Sequence, residues 1–473
     1  MIKKGFPIIH FYDQDFVDIY DRTWAWSQDF FKKGSAENGF ESRYYNYPES
    51  ETINQFEACL STFFLVYSNR QFPTTPSVDN FYAKQEASGA IRGIYRESNG
   101  SPVFTDENPE CVYPPLFALA EYNLFHKEGN KKRLRDIMPK LEAYFKWLES
   151  TFRQENGLYA TPLSAAMMEN SPREEALYLV DFNAQQALNA LYMSAIGDIL
   201  NDKELSFTYK RHYFSIKTRI NSMMWDEEEG FYMDLDKSGN IIKKKTIAGF
   251  WTLWAEIPNE DKANALINHL KNPKTFGADN PFPTLALDES EFEEDGHACR
   301  GSVYPVFTFM VVKGLEKYAR YELARECSIR HMYYILDALH PEGKKGAVYE
   351  AYKATKEGPS VLPGREDFPR PLFLPYTSLA AITLMIENVI GLYISLPRKT
   401  VDWIIPNLEI MGIEHLSLKR NLITILSNKS GRGWEIRLES EKLYYFTINV
   451  LGDHKKKTLP IPSGKCSMLI DKL

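Results

Sequence analysis

Leu134-Arg-Asp-Ile-Met-Pro-Lys-Leu-Glu-Ala-Tyr-Phe-Lys-Trp-Leu-Glu-Ser-Thr-Phe152 decides the fold class of this chain. Its apolar residues fall at Leu134, Ile137, Met138, Leu141, Tyr144, Phe145, Leu148 and Phe152. These are the three- and four-residue steps of a helix with one buried stripe. Pro139 predicts a kink or a break, because it lacks an N–H and crowds the preceding turn. Ala184, Ala187, Leu188, Leu191, Ala195 and Ile199 repeat the pattern, with Asp181 placed as an N-cap. Similar spacing recurs over 14–32, 54–69, 75–87, 114–129, 204–225, 249–256, 259–272, 304–320, 321–340 and 373–392. Short polar connections such as Glu128-Gly-Asn-Lys131 and Leu200-Asn-Asp-Lys203 predict antiparallel neighbours. Consecutive helical hairpins in this number predict a mainly α protein, with six pairs closed into an (α/α)6 toroid barrel over residues 1–395. No fixed-period self-similarity supports a solenoid.

The pattern changes after residue 395. Trp434, Ile436 and Leu438 alternate with Glu435, Arg437 and Glu439, and Phe446, Ile448 and Val450 alternate likewise. This two-residue period is that of half-buried strands. Residues 396–473 are expected to form a small antiparallel β domain, sandwich-like, packed on the helical part.

Composition excludes several function classes. Of the 473 residues, 44% are hydrophobic and 25% charged, which rules out a disordered chain, a collagen or a coiled coil. No run of 18 apolar residues exists, so no transmembrane helix is expected. The net charge of −7 lacks the footprint of a nucleic-acid binder. The expected partner is therefore a small neutral substrate, with no nucleic acid and no membrane, and the chain a monomer or homodimer. Five dispersed cysteines without C-x-x-C spacing argue against both a disulfide framework and a zinc site, and read as small buried hydrophobes. His10, Asp13 and Asp15 interrupt any leader-like apolar run, so the chain is expected in the cytoplasm, or outside it if a leader was removed before residue 1.

Nucleotide-binding glycine loops and a G-x-S-x-G elbow are absent. Asp234-Leu-Asp-Lys-Ser-Gly-Asn240 opens like a calcium loop, but its twelfth position is Lys245, so it reads as a polar turn. No metal and no organic cofactor are expected. What remains is a set of carboxylates and arginines in long interruptions at about 33–52, 88–112, 154–180, 226–248, 273–303 and 341–372. Loops of this length in a compact domain are usually functional, and a ring of hairpins would gather them at one mouth. Four segments stand out: Asn54-Gln-Phe-Glu57, Met168 to Asn183, Cys299 to Pro305 and Ala347 to Tyr352. Glu350 sits between Tyr349 and Tyr352, a setting that would desolvate its carboxyl and raise its pKa. Arg173 and Arg300 either neutralise site acids or form plain ion pairs.

In this order the segments resemble the clan of inverting glycoside hydrolases that includes trehalase, processing α-glucosidase I and bacterial mannosylglycerate hydrolase, and above all the bacterial branch. Where members read G-M-D-N-S/T-P-R, V-D-L/F-N-A, R-G-P-V-W and E-x-Y, this chain has Met168-Glu-Asn-Ser-Pro-Arg173, Val180-Asp-Phe-Asn-Ala184, Arg300-Gly-Ser-Val-Tyr304 and Glu350-Ala-Tyr352. Trp225 to Tyr232 and Asp79 to Gln85 also look like that branch. The resemblance implies the (α/α)6 barrel and inverting hydrolysis of an α-linked glucoside or mannoside. It implies Glu169 as general acid and Glu350 as base, with Glu57, Gln85, Arg173, Asp181, Arg300 and Tyr376 binding the sugar. The departures are Glu169 for the family's Asp, Phe56-Glu57 for a Trp-Asp pair, and Tyr304 and Tyr376 for tryptophans. Two alternatives stay open. One is a sugar epimerase, for which His297 and His331 are the histidines near these segments; the other is a carbohydrate-binding pseudoenzyme.

Overall fold

The computed structural model describes residues 5–68, 70–339, 347–418, 421–431, 433–451, 455–461 and 464–470. The start of the long interruption expected at 341–372 therefore lies outside the described residues. In chain order the helices are α1 (Gln14–Trp26), α2 (Gln55–Leu65), α3 (Pro76–Ala83), α4 (Phe117–Glu128), α5 (Lys131–Phe152) and α6 (Val180–Leu200). They continue with α7 (Lys203–Met223), α8 (Trp251–Trp254), α9 (Glu260–Lys271), α10 (Pro305–Lys317), α11 (Tyr321–Leu339) and α12 (Leu374–Ser378). The last of these runs on as a π-helix over Leu379–Val389.

Two kinds of helix alternate along the chain. α1, α5, α7, α9 and α11 bury one stripe and show the other face to solvent. α2, α8 and the π-helix bury every residue, and α6 and α10 nearly so. A helix buried on all sides must be enclosed by others. The even-numbered helices touch in turn, α2 to α4, then α6, α8, α10 and α12, and α12 returns to α2, while odd-numbered helices cover them: α7 packs on α6, and α11 on α10 and on the π-helix. The approach of α10 to α8 depends on Gly314, where a Cβ would come within 2.8 Å of the Leu253 Cβ.

Two local expectations change. α5 runs unbroken from Lys131 to Phe152 with Pro139 inside it. The N-cap of α6 is Leu179, and Asp181 lies inside the first turn.

At the C-terminal ends of α2, α4 and α10 a buried charge cluster ties the helices together. The Glu387 carboxylate accepts hydrogen bonds from Lys127 Nζ at 3.0 Å, Lys313 Nζ at 2.6 Å and the Tyr67 hydroxyl. Burial disfavours the charge on Glu387, but the two ammonium groups outweigh it and hold the carboxyl down to about 2.

Beside three two-stranded ribbons among the helices, the described strands form two larger sheets. In one, Ile8–His10, Met411–Leu418, Asn421–Ser430, Gly433–Ser440 and Gly464–Ile470 lie side by side, all antiparallel. In the other the order is Lys455–Ile461, Tyr444–Val450, Thr400–Ile405 and Leu392–Ser395. The expected wholly antiparallel domain is corrected here, because Tyr444–Val450 pairs parallel with Thr400–Ile405. The sheets also recruit Ile8–His10 and begin at Leu392, before the expected boundary at 396. Trp403 Nε1 donates to the Ile390 carbonyl at 2.6 Å, and the Leu396 N–H to the His126 carbonyl at 2.7 Å, which joins the strands to the helices. Cys59, Cys111, Cys299 and Cys327 are buried and unbridged. No described helix is long and apolar enough to cross a membrane.

Candidate active site

Helix first turns bring the site together. The Asn54 side chain caps α2 by accepting from the Phe56 N–H at 2.8 Å, which fixes Glu57 in the first turn. Tyr304 is the N-cap of α10, just ahead of Pro305, and Tyr376 lies in α12. The rings of Phe56 and Tyr304 each stand edge-on to Tyr376 at 6.4 Å, so these three helix starts share one apolar wall.

Against that wall lies a paired loop. The Glu350 N–H donates to the Arg370 carbonyl at 3.0 Å, and the Leu372 N–H to the Val348 carbonyl at 2.6 Å. The side chains repeat the pairing. Arg370 Nε reaches Glu350 Oε2 at 2.8 Å and its Nη2 reaches Oε1 at 2.7 Å, a two-pronged contact. The guanidinium lies 3.6 Å over the Phe373 ring, and its Nη2 is 3.7 Å from Glu57 Oε1. One cation thus stands between two carboxyls. Burial pushes the Glu57 carboxyl up to about 7; Arg370 opposes the rise and Glu350 adds to it. Both carboxyls are buried, and an arginine that the motifs did not mark grips Glu350.

Glu169 lies in a separate loop, ahead of α6. It is exposed and makes no hydrogen bond among the described residues. Its neighbour Asn170 clips this loop to the 297–300 segment: Nδ2 donates to the His297 carbonyl at 2.8 Å and Oδ1 accepts from the Cys299 N–H at 2.9 Å. The Cys299 thiol and the Arg365 guanidinium each feel both Glu169 and Glu350, so the two carboxyls share one neighbourhood. Met167, Asn170, His297, Ala298 and Leu372, in these segments, are among the non-glycine residues at positive φ. Such conformations cost about 1–3 kcal/mol each and persist where the surroundings enforce them.

The family model for the mannosylglycerate hydrolase MGH1-like glycoside hydrolase domain matches residues 75–360, more than half of the chain. The chain belongs to this family. The model for the trehalase C-terminal domain matches residues 391–473. An uncharacterised protein of Borreliella burgdorferi is 52% identical over the full length of both chains. The mannosylglycerate hydrolase of Thermus thermophilus is 26% identical over 48% of this chain and 69% of its own. Among solved structures, that organism's GH63 mannosylglycerate hydrolase in complex with glucose superposes with a TM-score of 0.59 at 18% identity, over 77% of this chain and 99% of the other. A sialidase superposes at 0.69 and 16% identity over 91% of this chain, which spans 40% of that protein.

Three residues expected to bind sugar in this MGH1-like domain are placed otherwise. Arg173 and Asp181 have no exposed side-chain surface. Arg173 Nη1 and Nη2 bind Asp181 at 2.9 and 2.8 Å, while Nε and Nη2 bind Asp234 at 2.6 and 2.8 Å. With its fork filled on both sides, Arg173 braces the Glu169 loop from within. Asp234, read from sequence as part of a polar turn, is the second carboxylate of this triad. Gln85 Nε2 donates to the carbonyls of Gly89 and Lys140, the latter on α5, and so braces a loop. Arg300 is partly exposed and donates from Nε to the Asn170 carbonyl at 3.1 Å, beside Glu169. The histidines do not form a pair. His331 is fully buried, its Nδ1 2.8 Å from Asn280 Oδ1, and burial drives its pKa down to about 3, while His297 lies 3.8 Å from Glu293. Among the described residues no three His, Cys, Asp or Glu side chains are grouped to hold a metal.

Proposed function

We propose that the protein hydrolyses a small α-linked glucoside or mannoside with inversion. In this reading the enclosed helices form an (α/α)6 ring within residues 1–395, residues 396–473 are an accessory β domain, and the site lies where the even-numbered helices begin. The observation that carries it is the Glu350–Arg370 pair at 2.7 and 2.8 Å, with Glu169 in the same neighbourhood. Hydrolysis needs two carboxyl groups on opposite sides of the bond. Glu350 takes a proton from water as its oxygen bonds to the anomeric carbon. Glu169 gives a proton to the leaving oxygen as the glycosidic bond breaks. Tyr376, Tyr304 and Phe56 supply the apolar face that a sugar ring stacks on, and Glu57 hydrogen-bonds a sugar oxygen. Smaller rings than the family's tryptophans leave a different pocket outline, so the sugar is to be found by experiment.

A screen of α-linked disaccharides and glycosylglycerates for released monosaccharide tests the reading. Release by the wild type, lost in Glu350→Gln and Glu169→Gln, supports it. Full activity in either variant removes that assignment. The exposure of Glu169 favours one second reading, a carbohydrate-binding protein without turnover. Saturable sugar binding with no release across the screen would establish that reading instead.

A further inference from the structure

The neighbourhood of Arg370 holds an imbalance of charge. Its guanidinium faces two carboxyls, so full ionisation would leave one negative charge uncompensated in a largely desolvated site. The other titratable groups around them do not correct it. Glu57 faces Arg370, Glu350, Tyr376 and the Tyr113 phenol. Glu350 faces Arg370, Tyr304, Tyr376, Tyr47, Cys299 and Arg365, and Glu169, in the same neighbourhood, is a further acid that cannot offset the charge. Burial raises all four of these phenols and the Cys299 thiol, which keeps them uncharged near neutrality. Arg365 is engaged by both oxygens of Asp367, at 2.9 and 3.0 Å.

The two carboxyls are not equivalent. Glu350 has the guanidinium fork at 2.7 and 2.8 Å and the Arg370 N–H at 3.3 Å. Glu57 has one long contact of 3.7 Å to the same arginine. A single proton shared by the pair belongs on the carboxyl with the poorer cation contact.

We propose that Arg370 is a positioning residue shared by two carboxyls: it fixes Glu350 as the carboxylate that activates water, and the missing charge is made good by a proton kept on Glu57. A neutral Glu57 presents an O–H donor to the sugar, where a carboxylate would only accept. The role given to Glu350 rests on the hydrolase reading; the placement of the proton does not.

Difference infrared spectroscopy of the carboxyl C=O band across pH 4–9 tests the proton directly. Wild type minus Glu57→Gln is expected to show a protonated carboxyl that titrates near pH 7. Arg370→Met should carry a second protonated carboxyl into the neutral range, and Arg370→Lys, which keeps the cation without the fork, should fall between. On a cleaved substrate, Arg370→Met should lower kcat about ten-fold or more and move the acid limb of the pH profile up by about one unit, with little change in KM. Adding Glu57→Gln to Arg370→Met should leave the limb where Arg370→Met puts it, because glutamine carries the same charge as a protonated Glu57; a partial return would mean an ionised Glu57 and would overturn the proposal. No carboxyl titrating between pH 6 and 8 in the wild-type minus Glu57→Gln difference overturns the proposal, as does an unmoved acid limb in Arg370→Met. If the bands behave as described and no glycoside is cleaved, the hydrolase reading fails and the shared proton stands.

Discussion

Arg173 and Arg370 each bridge two carboxylates, and the surroundings of the two bridges could hardly differ more. Around Arg173 every side chain is closed off from solvent, and four contacts of 2.6–2.9 Å fill both faces of the guanidinium. Around Arg370 one carboxyl group is gripped and the other is held at 3.7 Å, while about a third of the arginine side chain stays open to solvent. A saturated buried ion cluster has no valence left for a ligand and fixes loop geometry instead. An unsaturated cluster partly open to solvent has room for both a shiftable proton and free hydrogen-bonding capacity, which is where chemistry can be done.

Removing the charge of the closed bridge should have the largest effect. Arg173→Met leaves Asp181 and Asp234 buried without a cation, and is expected to cost about 3–5 kcal/mol of folding stability, read by urea denaturation. A cost under about 1 kcal/mol would mean that the triad does not hold the Glu169 loop. Next comes the open bridge. Glu350→Gln should lower kcat by about two orders of magnitude, roughly 2.7 kcal/mol in the barrier, with the urea midpoint nearly unchanged. A folded variant of near-normal kcat would make the two bridges alike in being structural.

Glu57→Gln sharpens the contrast through pH. The native carboxyl keeps its proton up to about 7, whereas the unfolded chain releases it near the ordinary value of 4.5. Between those values the native state binds the extra proton, so stability falls as pH rises through this window. The glutamine variant escapes that loss and is expected to gain roughly 1–3 kcal/mol over the wild type at pH 8, with the gain fading by about pH 4.5. Equal pH slopes in the two proteins would contradict the raised carboxyl. The smallest effect is expected at Arg300, partly exposed and 3.5 Å from Glu174. Arg300→Ala should change stability by less than about 1 kcal/mol, measured by the same denaturation.

Helix stripes were legible in the sequence because an exposed helix must alternate its faces; the odd-numbered helices show this, Leu134 to Phe152 best of all. The enclosed helices were read as helices too, but a segment such as Gln55–Leu65, buried on every side, gives no sign in its spacing of which face meets which neighbour. Strand alternation revealed the C-terminal sheets but not their pairing. The parallel neighbours Thr400–Ile405 and Tyr444–Val450 stand far apart in the chain and carry no local mark. Of the residues grouped around Arg370, Glu350, Glu57 and Tyr376 were named from motifs. Arg370 was missed because an arginine twenty residues after Glu350, in an irregular segment, has no spacing that betrays its partner. Asp181 and Arg173 were found but misplaced, since sequence shows that two charges exist and not whether solvent reaches them.

The stereochemistry of turnover tests the central assignment most directly. With Glu350 activating water opposite Glu169, an α-glycoside should be attacked on the face away from the leaving group. Proton NMR of the anomeric signals in the first minutes should show the β-anomer appearing first, with the α-anomer following only by mutarotation. Initial release of the α-anomer would mean a retaining mechanism, and would contradict Glu350 as the base.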